Sequence, residues 1–157
     1  MKNKILENEL TWTPLDQRKS RFGGKTSPRK PENRVPIYWL ARQGNELYFV
    51  NASEEALDSL IASSGGFETT DVGVLTVASS KNYEYKNITP NMAVKVDEYD
   101  GFYDLDCVLQ VTITIQSTKF GTLHIIPPAK KGGVNETVLL WNTNETGKHV
   151  VIKKMTE

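Results

Sequence analysis

Residues 103–115, "YDLDCVLQVTITI", alternate between apolar and polar side chains, and no other pattern in the chain constrains the fold as strongly. One face of this stretch carries Tyr103, Leu105, Cys107, Leu109, Val111, Ile113 and Ile115, and the other carries Asp104, Asp106, Gln110, Thr112 and Thr114, with Val108 as the exception. A period of two residues is that of a β-strand with one buried face. Because the stretch exceeds the usual strand length, the pattern also predicts a bulge or bend near residues 104–107.

From Val35 onward the chain consists of short runs rich in β-branched and aromatic residues, separated by turn residues. Such spacing is typical of an all-β sandwich or barrel. Two of these runs, "PIYWLAR" and "ELYFVN", flank Gly44 and Asn45, a pair that predicts a hairpin turn. A parallel sheet would need a helix-sized segment between successive strands, and only one such segment is found. We therefore expect a mostly antiparallel two-layer β-sandwich over residues 35–157.

Residues 53–64 predict one short α-helix. Ser53 is a suitable N-cap, and the carboxylates of Glu54 and Glu55 would complement the helix dipole in the first turn. Apolar residues then follow at helical spacing, at Ala56, Leu57, Leu60 and Ile61. Glycines at positions 65 and 66 would end the helix.

Residues 1–34 predict an N-terminal arm ahead of the sandwich domain, because their second half is basic, rich in glycine and proline, and almost free of apolar residues. The basic residues expected to make the arm's contacts are Arg18, Lys19, Arg21, Lys25, Arg29 and Lys30. Apolar residues before them predict a short segment docked on the sandwich, namely Ile5, Leu6, Leu10, Trp12 and Leu15. Arms exchanged between copies of the chain would give a homo-oligomer.

The net charge is zero, yet the charges are unevenly distributed along the chain. Residues 1–35 carry +5, residues 36–117 carry −8 and residues 118–157 carry +3. The acidic middle argues against general affinity for nucleic acid and favours a basic protein partner. No apolar run approaches the ~20 residues of a membrane span, and no signal-peptide pattern opens the sequence, so we expect a cytoplasmic protein. The single cysteine excludes a disulfide framework within the chain.

The stretch "DEYDGFYDLD", residues 97–106, concentrates five carboxylates: Asp97, Glu98, Asp100, Asp104 and Asp106. The dipeptide at 100–101, Asp-Gly, predicts a tight hairpin turn that gathers them at one end of the sandwich. Three hypotheses remain open. The acids could form a docking surface for a basic partner, together with Tyr99 and Phe102. Alternatively, Asp97, Asp100, Asp104 and Asp106 could bind Ca²⁺, or the acids could simply keep a hairpin end solvated and block edge pairing.

The sequence contains no complete catalytic motif and no cofactor-binding motif. "GGKT" at residues 23–26 lacks the earlier glycine and the preceding strand of a phosphate-binding loop. Cys107 lies on the predicted apolar face, where a thiol is a small core residue more often than a nucleophile. We therefore predict a non-enzymatic protein-binding module, such as a bacterial immunity or inhibitor protein or an accessory factor. The alternative is a Ca²⁺- or carbohydrate-binding β-sandwich, with an aromatic platform drawn from Trp39, Tyr99, Phe102, Tyr103 and Trp141.

Overall fold

A computed structural model describes residues 4–7, 10, 12, 34–70, 73–99, 107–131 and 133–155. These residues form β-strands and turns, and none of them belongs to a helix that could cross a membrane. The strands are β1 (Ile5–Glu7), β2 (Pro36–Gln43), β3 (Glu46–Asn51), β4 (Leu57–Thr70), β5 (Gly73–Ile88), β6 (Met92–Glu98), β7 (Cys107–Ser117), β8 (Gly121–Ile126), β9 (Lys130–Lys131), β10 (Thr137–Trp141) and β11 (Val151–Met155).

The strands form two antiparallel sheets. The first sheet has the order β1-β6-β3-β2-β10, and the second has the order β11-β8-β7-β4-β5, with β9 paired to β7. Tyr38, Leu40 and Phe49 of the first sheet join Leu60 and Ile113 of the second in one core, and each is at most 2% exposed. Burying a side chain of this size contributes about 1.5–3 kcal/mol. The predicted two-layer antiparallel sandwich is confirmed.

Strand β7 confirms the predicted alternation from Gln110 to Ile115, where the structure describes the side chains. Val111, Ile113 and Ile115 are fully buried, whereas Thr112 and Thr114 between them are half-buried on the opposite face. The expected bend near 104–107 falls largely outside the described residues. The predicted hairpin between β2 and β3 is also present, since Gln43 pairs with Glu46 and the φ of Gly44 is +60°, as a tight turn of this kind requires.

The predicted helix over 53–64 is wrong, because residues from Leu57 onward form β4, which pairs with β5 on one side and β7 on the other. A register shift against β7 lies between Leu57 and Ser59. The shift lets Leu57 and Leu60, three positions apart, both enter the core. That spacing resembles helical periodicity, and pairing on both sides outweighs a weak local preference.

The N-terminal segment covers part of the outer face of the first sheet. β1 pairs with β6, and Leu6, Leu10 and Trp12 pack on a cluster on this face. The cluster consists of Trp39, Ala41, Tyr48, Val50 and Ala93. The ring of Trp12 meets that of Trp141 edge-on, with centroids 5.4 Å apart, and the guanidinium of Arg34 lies 4.2 Å from the same Trp141 ring. The predicted arm contacts, Arg18, Lys19, Arg21, Lys25, Arg29 and Lys30, lie outside the described residues.

Candidate functional site

A pocket of about 320 Å³ opens at one end of the sandwich. Its walls come from four separate parts of the chain: the start of β2, the turn after β3, the turn between β7 and β8, and the loop after β10. Its lining includes Val35, Tyr38, Glu54, Glu55, Lys119 and Phe120. A volume near the lower limit of ligand pockets suits a small molecule or one protruding side chain.

Asn51 holds the turn that carries the two carboxylates of the pocket. This fully buried amide donates two hydrogen bonds of 2.9 Å, to the carbonyls of Glu55 and Ile88. Its Oδ1 accepts a 3.1 Å hydrogen bond from the backbone N–H of Ser53, and Ser53 Oγ lies 2.6 Å from the same oxygen. Because every polar atom of the Asn51 side chain is bonded, Glu54 and Glu55 lie on a turn of fixed shape.

Ser117 holds the opposite wall of the pocket. Its Oγ accepts hydrogen bonds of 3.1 Å from the backbone N–H groups of both Lys119 and Phe120, which fixes the turn between β7 and β8. The Phe120 ring packs edge-on to that of Tyr38, with centroids 6.3 Å apart. Burial raises the pKa of the Tyr38 phenol, against the effect of its hydrogen bonds with Ser117 and Ser53. The floor is therefore aromatic and neutral.

The loop after β10 completes the pocket with two amide side chains. Asn142 is tied to Val35 twice, through a 2.8 Å hydrogen bond from its backbone N–H to the Val35 carbonyl and a 3.2 Å bond from the Val35 N–H to its Oδ1. Asn144 follows in the left-handed region at φ 69°, which asparagine tolerates better than most residues. Both amides line the pocket.

The lining combines two carboxylates, one ammonium group and an apolar floor. Glu54 and Glu55 are exposed and outnumber the ammonium of Lys119, whose Nζ lies 5.3 Å from the Phe120 ring. Val35, an apolar residue of the rim, is 56% exposed. An alkyl chain that ends in a cation matches this arrangement, because its stem can lie on apolar surface while the charge meets carboxylate oxygens.

Residues 97–99 are the part of the acidic stretch that the structure describes. Asp97 and Tyr99 are 2% and 4% exposed, so neither side chain is available to a partner here. Only Glu98, of the three described residues in the stretch, is exposed. Asp100, Phe102, Asp104 and Asp106 lie outside the described residues, so their partner-binding and metal-binding roles stay predictions.

Asp97 and Tyr99 make contacts within the chain that hold their side chains in place. Asp97 Oδ1 accepts a 2.8 Å hydrogen bond from the backbone N–H of Glu98. The Arg42 guanidinium lies 4.5 Å from the centroid of the Tyr99 ring. Burial, and next the charge of Asp97, raise the pKa of Tyr99 well above its usual range. These two residues therefore belong to the packing at the end of β6, and the sequence pattern gives no sign that their side chains are buried.

Lys95 is a buried cation that the sequence analysis missed. Its Nζ lies 3.1 Å from Glu46 and 2.9 Å from Glu98, while the Lys95 side chain is only 6% exposed. Burial alone would lower the pKa of Lys95, but its hydrogen bonds with Glu98 and Glu46 outweigh burial and raise it. Lys4 reaches the same Glu46 carboxylate at 3.3 Å. The network ties β1 to the sheet, and no sequence motif reveals these long-range partners.

The described residues contain no cluster of three or more His, Cys, Asp or Glu side chains that could hold a metal ion. The proposed aromatic platform also loses three members, since Trp39, Tyr99 and Trp141 are at most 9% exposed. Comparison of the chain with models of protein families, with curated proteins and with solved structures gave no match. The pocket is therefore the feature of the described chain with the clearest ligand chemistry.

Proposed function

We propose that this chain is a non-enzymatic recognition module that binds a basic partner protein, and that one lysine or arginine side chain of the partner enters the pocket. The observation that carries the proposal is the placement of Glu54 and Glu55 beside the aromatic floor formed by Tyr38 and Phe120. No residue of the acidic stretch 97–106 is needed for this contact.

The chemistry of the walls selects a long cationic side chain. Its methylene groups would pack against Val35 and Phe120, and its charged end would donate hydrogen bonds to the carboxylates at the rim. A hydrogen bond between charged groups contributes about 1.5–3 kcal/mol, roughly twice as much as a neutral one. The rigid turn around Asn51 lowers the entropic cost of binding, because the carboxylates are already placed.

The wider charge distribution supports the same partner class. Residues 36–117, which include both pocket glutamates, carry a net charge of −8. A field of this sign speeds the encounter with a basic protein and disfavours acidic ones. An immunity or inhibitor protein for a basic toxin would use such a surface, as would an accessory factor that holds a basic subunit. Glu98 and the acidic residues that follow it could add a second contact to the same partner.

A carbohydrate ligand is the second candidate, and one observation favours it. The amides of Asn142 and Asn144 stand in the same pocket as the ring of Phe120, and amides with an aromatic ring are groups that bind hydroxyls and the apolar face of a sugar. A sugar would depend on the amides and the ring, whereas a cation would depend on Glu54 and Glu55. The two ligand classes are therefore separable by mutation.

The test is a titration of isotope-labelled protein, followed by backbone amide shifts in NMR. The probes are a short lysine-containing peptide, the same peptide with norleucine in place of lysine, and a set of monosaccharides. We expect the lysine peptide alone to shift the amides of Glu54, Glu55, Lys119 and Asn142. The variant with Glu54→Gln and Glu55→Gln should weaken binding about tenfold or more, the loss of one to two charge-assisted contacts.

Asp58→Asn is the matched control, since Asp58 is an exposed acid close to the pocket turn but not part of the pocket lining. It should leave the affinity for the lysine peptide unchanged. Equal binding of the norleucine peptide, or shifts confined to other parts of the sandwich, would contradict the proposal. Shifts caused by a monosaccharide and insensitive to the glutamate substitutions would instead support the carbohydrate alternative.

A further inference from the structure

We infer that the outer face of the second sheet is a self-association surface, on which two copies of the chain stack face to face about a two-fold axis parallel to the strands. The surface lies on the sheet formed by β11, β8, β7, β4 and β5, with β7 in the middle. None of the residues argued here lines the pocket, so this inference is independent of the proposed function.

One row of side chains crosses this face from edge to edge. Ile61 of β4 pairs with Glu84 of β5 and with Thr114 of β7. Thr114 pairs in turn with His124 of β8, and His124 with Lys153 of β11. Directly paired residues of adjacent strands point to the same side of a sheet. The row therefore has a carboxylate at one edge, an ammonium group at the other, and Ile61, Thr114 and His124 between them.

The burial of their neighbours shows that this row faces outward. Ile61 lies between Leu60 and Ala62, Thr114 between Ile113 and Ile115, and His124 between Leu123 and Ile125, and all six neighbours are buried in the core between the sheets. Ile61 itself is 47% exposed, and Glu84 and Lys153 are exposed.

The order of charges along the row selects one way of stacking two copies. A two-fold axis parallel to the strands and centred on β7 places β5 of each copy over β11 of the other. Glu84 then faces Lys153 of the second copy, and Ile61 faces the His124 ring. Thr114 meets its own counterpart on the axis. Rotation about an axis across the strands would instead oppose Glu84 to Glu84, which costs free energy. The favoured arrangement is isologous and closes at two copies.

The neighbouring row repeats the pattern of an uncharged centre. Ser59, Gln116 and Thr122 are in register across β4, β7 and β8, and the charge of Lys86 lies at the β5 edge. On β11 this row continues with Met155, which pairs with Thr122. Charge confined to the rim, with apolar and neutral polar side chains inside it, is the usual anatomy of a protein interface.

The face is smaller than a standard interface. Five strands about 4.8 Å apart, with a central strand of 11 residues at about 3.4 Å per residue, give at most roughly 700 Å². A standard interface buries about 800 Å² on each partner. Because the face is mostly polar, we expect a reversible dimer of modest affinity, and not an obligate one.

The test is sedimentation velocity of the full chain over a wide concentration range, with three variants. Glu84→Lys and Lys153→Glu should each weaken dimerisation about tenfold, because symmetry makes every substitution act twice and each exposed pair contributes up to about 1 kcal/mol. The double variant, Glu84→Lys with Lys153→Glu, restores opposite charges across the axis and should recover the wild-type dimer. The control is Glu7→Lys, an exposed charge on the first sheet.

Recovery of dimerisation in the double variant is the decisive result. If the two substitutions merely damaged the surface, their losses of affinity would add and the double variant would dimerise more weakly than either single variant. A chain that stays monomeric up to millimolar concentration would overturn the inference. So would a dimer that is insensitive to the single reversals, or one weakened as strongly by Glu7→Lys. In that case association through exchanged N-terminal arms would explain a dimer better, since that contact involves neither Glu84 nor Lys153.

Discussion

Gly133 lies against the ring of Tyr99 so closely that a Cβ on the glycine would stand 2.6 Å from the tyrosine Cδ2. The backbone of Gly133 also has φ +112°, a conformation that side chains of L-residues rarely adopt. The ring that it supports is buried, and Arg42 stacks on it. The corner that follows β6 therefore depends on the absence of a side chain in a loop more than thirty positions away.

Gly133→Ala should destabilise the fold by about 2–4 kcal/mol, because overpacking and a strained backbone act together. Urea unfolding followed by circular dichroism measures the loss. Gly121→Ala is the matched control, since φ is +74° there but a Cβ would meet nothing within 4 Å. It should cost about 1–2 kcal/mol, the backbone component alone. Equal losses in the two variants would show that the Tyr99 ring moves aside without cost.

Asn51→Ala should destabilise the fold by about 2–4 kcal/mol, because it removes the amide that donates to the buried carbonyl of Ile88 and one of the two donors to the carbonyl of Glu55. It should also weaken binding of the lysine peptide, since the turn that carries Glu54 and Glu55 loses the hydrogen bonds that fix its shape. Asn51→Asp is the comparison: it retains an acceptor for Ser53 but no donor. An Asn51→Ala variant as stable as wild type would mean that other contacts fix the turn.

Lys95→Met should destabilise the fold by about 1–3 kcal/mol, since it removes the cation between Glu46 and Glu98 while keeping most of the volume. Lys86→Met, which changes an exposed lysine on β5, should be within about 0.5 kcal/mol of wild type. Chemical denaturation at neutral pH gives both values. A Lys95→Met variant more stable than wild type would mean that the cost of burying the ammonium exceeds the attraction of the two carboxylates.

The same network predicts how stability varies with acid. Burial tends to raise the pKa of Glu46, but its hydrogen bonds with Lys95 and Lys4 lower it below the ordinary 4.5. A depressed folded-state pKa contributes stability that is present above the unfolded value and lost as pH falls through the folded one. Unfolding free energies measured from pH 6 down to about 3 should therefore fall less steeply in Glu46→Gln than in wild type. Parallel plots of unfolding free energy against pH for the two proteins would show that Glu46 does not contribute to the loss of stability in acid.

The sequence predicts the layers of this fold better than the site. Alternation in residues 111–115 identifies the buried face of β7, because one strand between two neighbours obeys a period of two. Leu57 and Leu60 wrongly indicate a helix, because both are buried although they lie three positions apart. The bulge that permits this spacing is visible only in the pairing of β4 with β7. Glu54 and Glu55, which follow a residue suited to an N-cap, predict the first turn of a helix but lie in a bend ahead of β4. The pocket brings together residues near 36, 54, 119 and 143, and no local pattern signals such a meeting.

Burial of Asp97 and Lys95 also escapes sequence reasoning. Both belong to the run "VKVDE", in which apolar and charged residues alternate, and this alternation is typical of a strand with one solvated face. The charged face of β6 is instead buried at Lys95 and Asp97. The register of β6 against β3 also shifts between Leu47 and Tyr48. Whether a charged strand face is buried depends on how the assembled strands and the N-terminal segment pack against it, which no local sequence pattern records.

The meeting of Trp12 and Arg34 on one indole has a practical consequence for the chain between them. Trp12 and Arg34 both contact Trp141, so residues added between positions 12 and 34 leave the distance between these two ends unchanged and add an entropic cost that grows only with the logarithm of the segment length. Trp141 thus brings together two positions that lie 22 residues apart in the sequence, and a reporter placed between them would have both of its ends held at one indole ring.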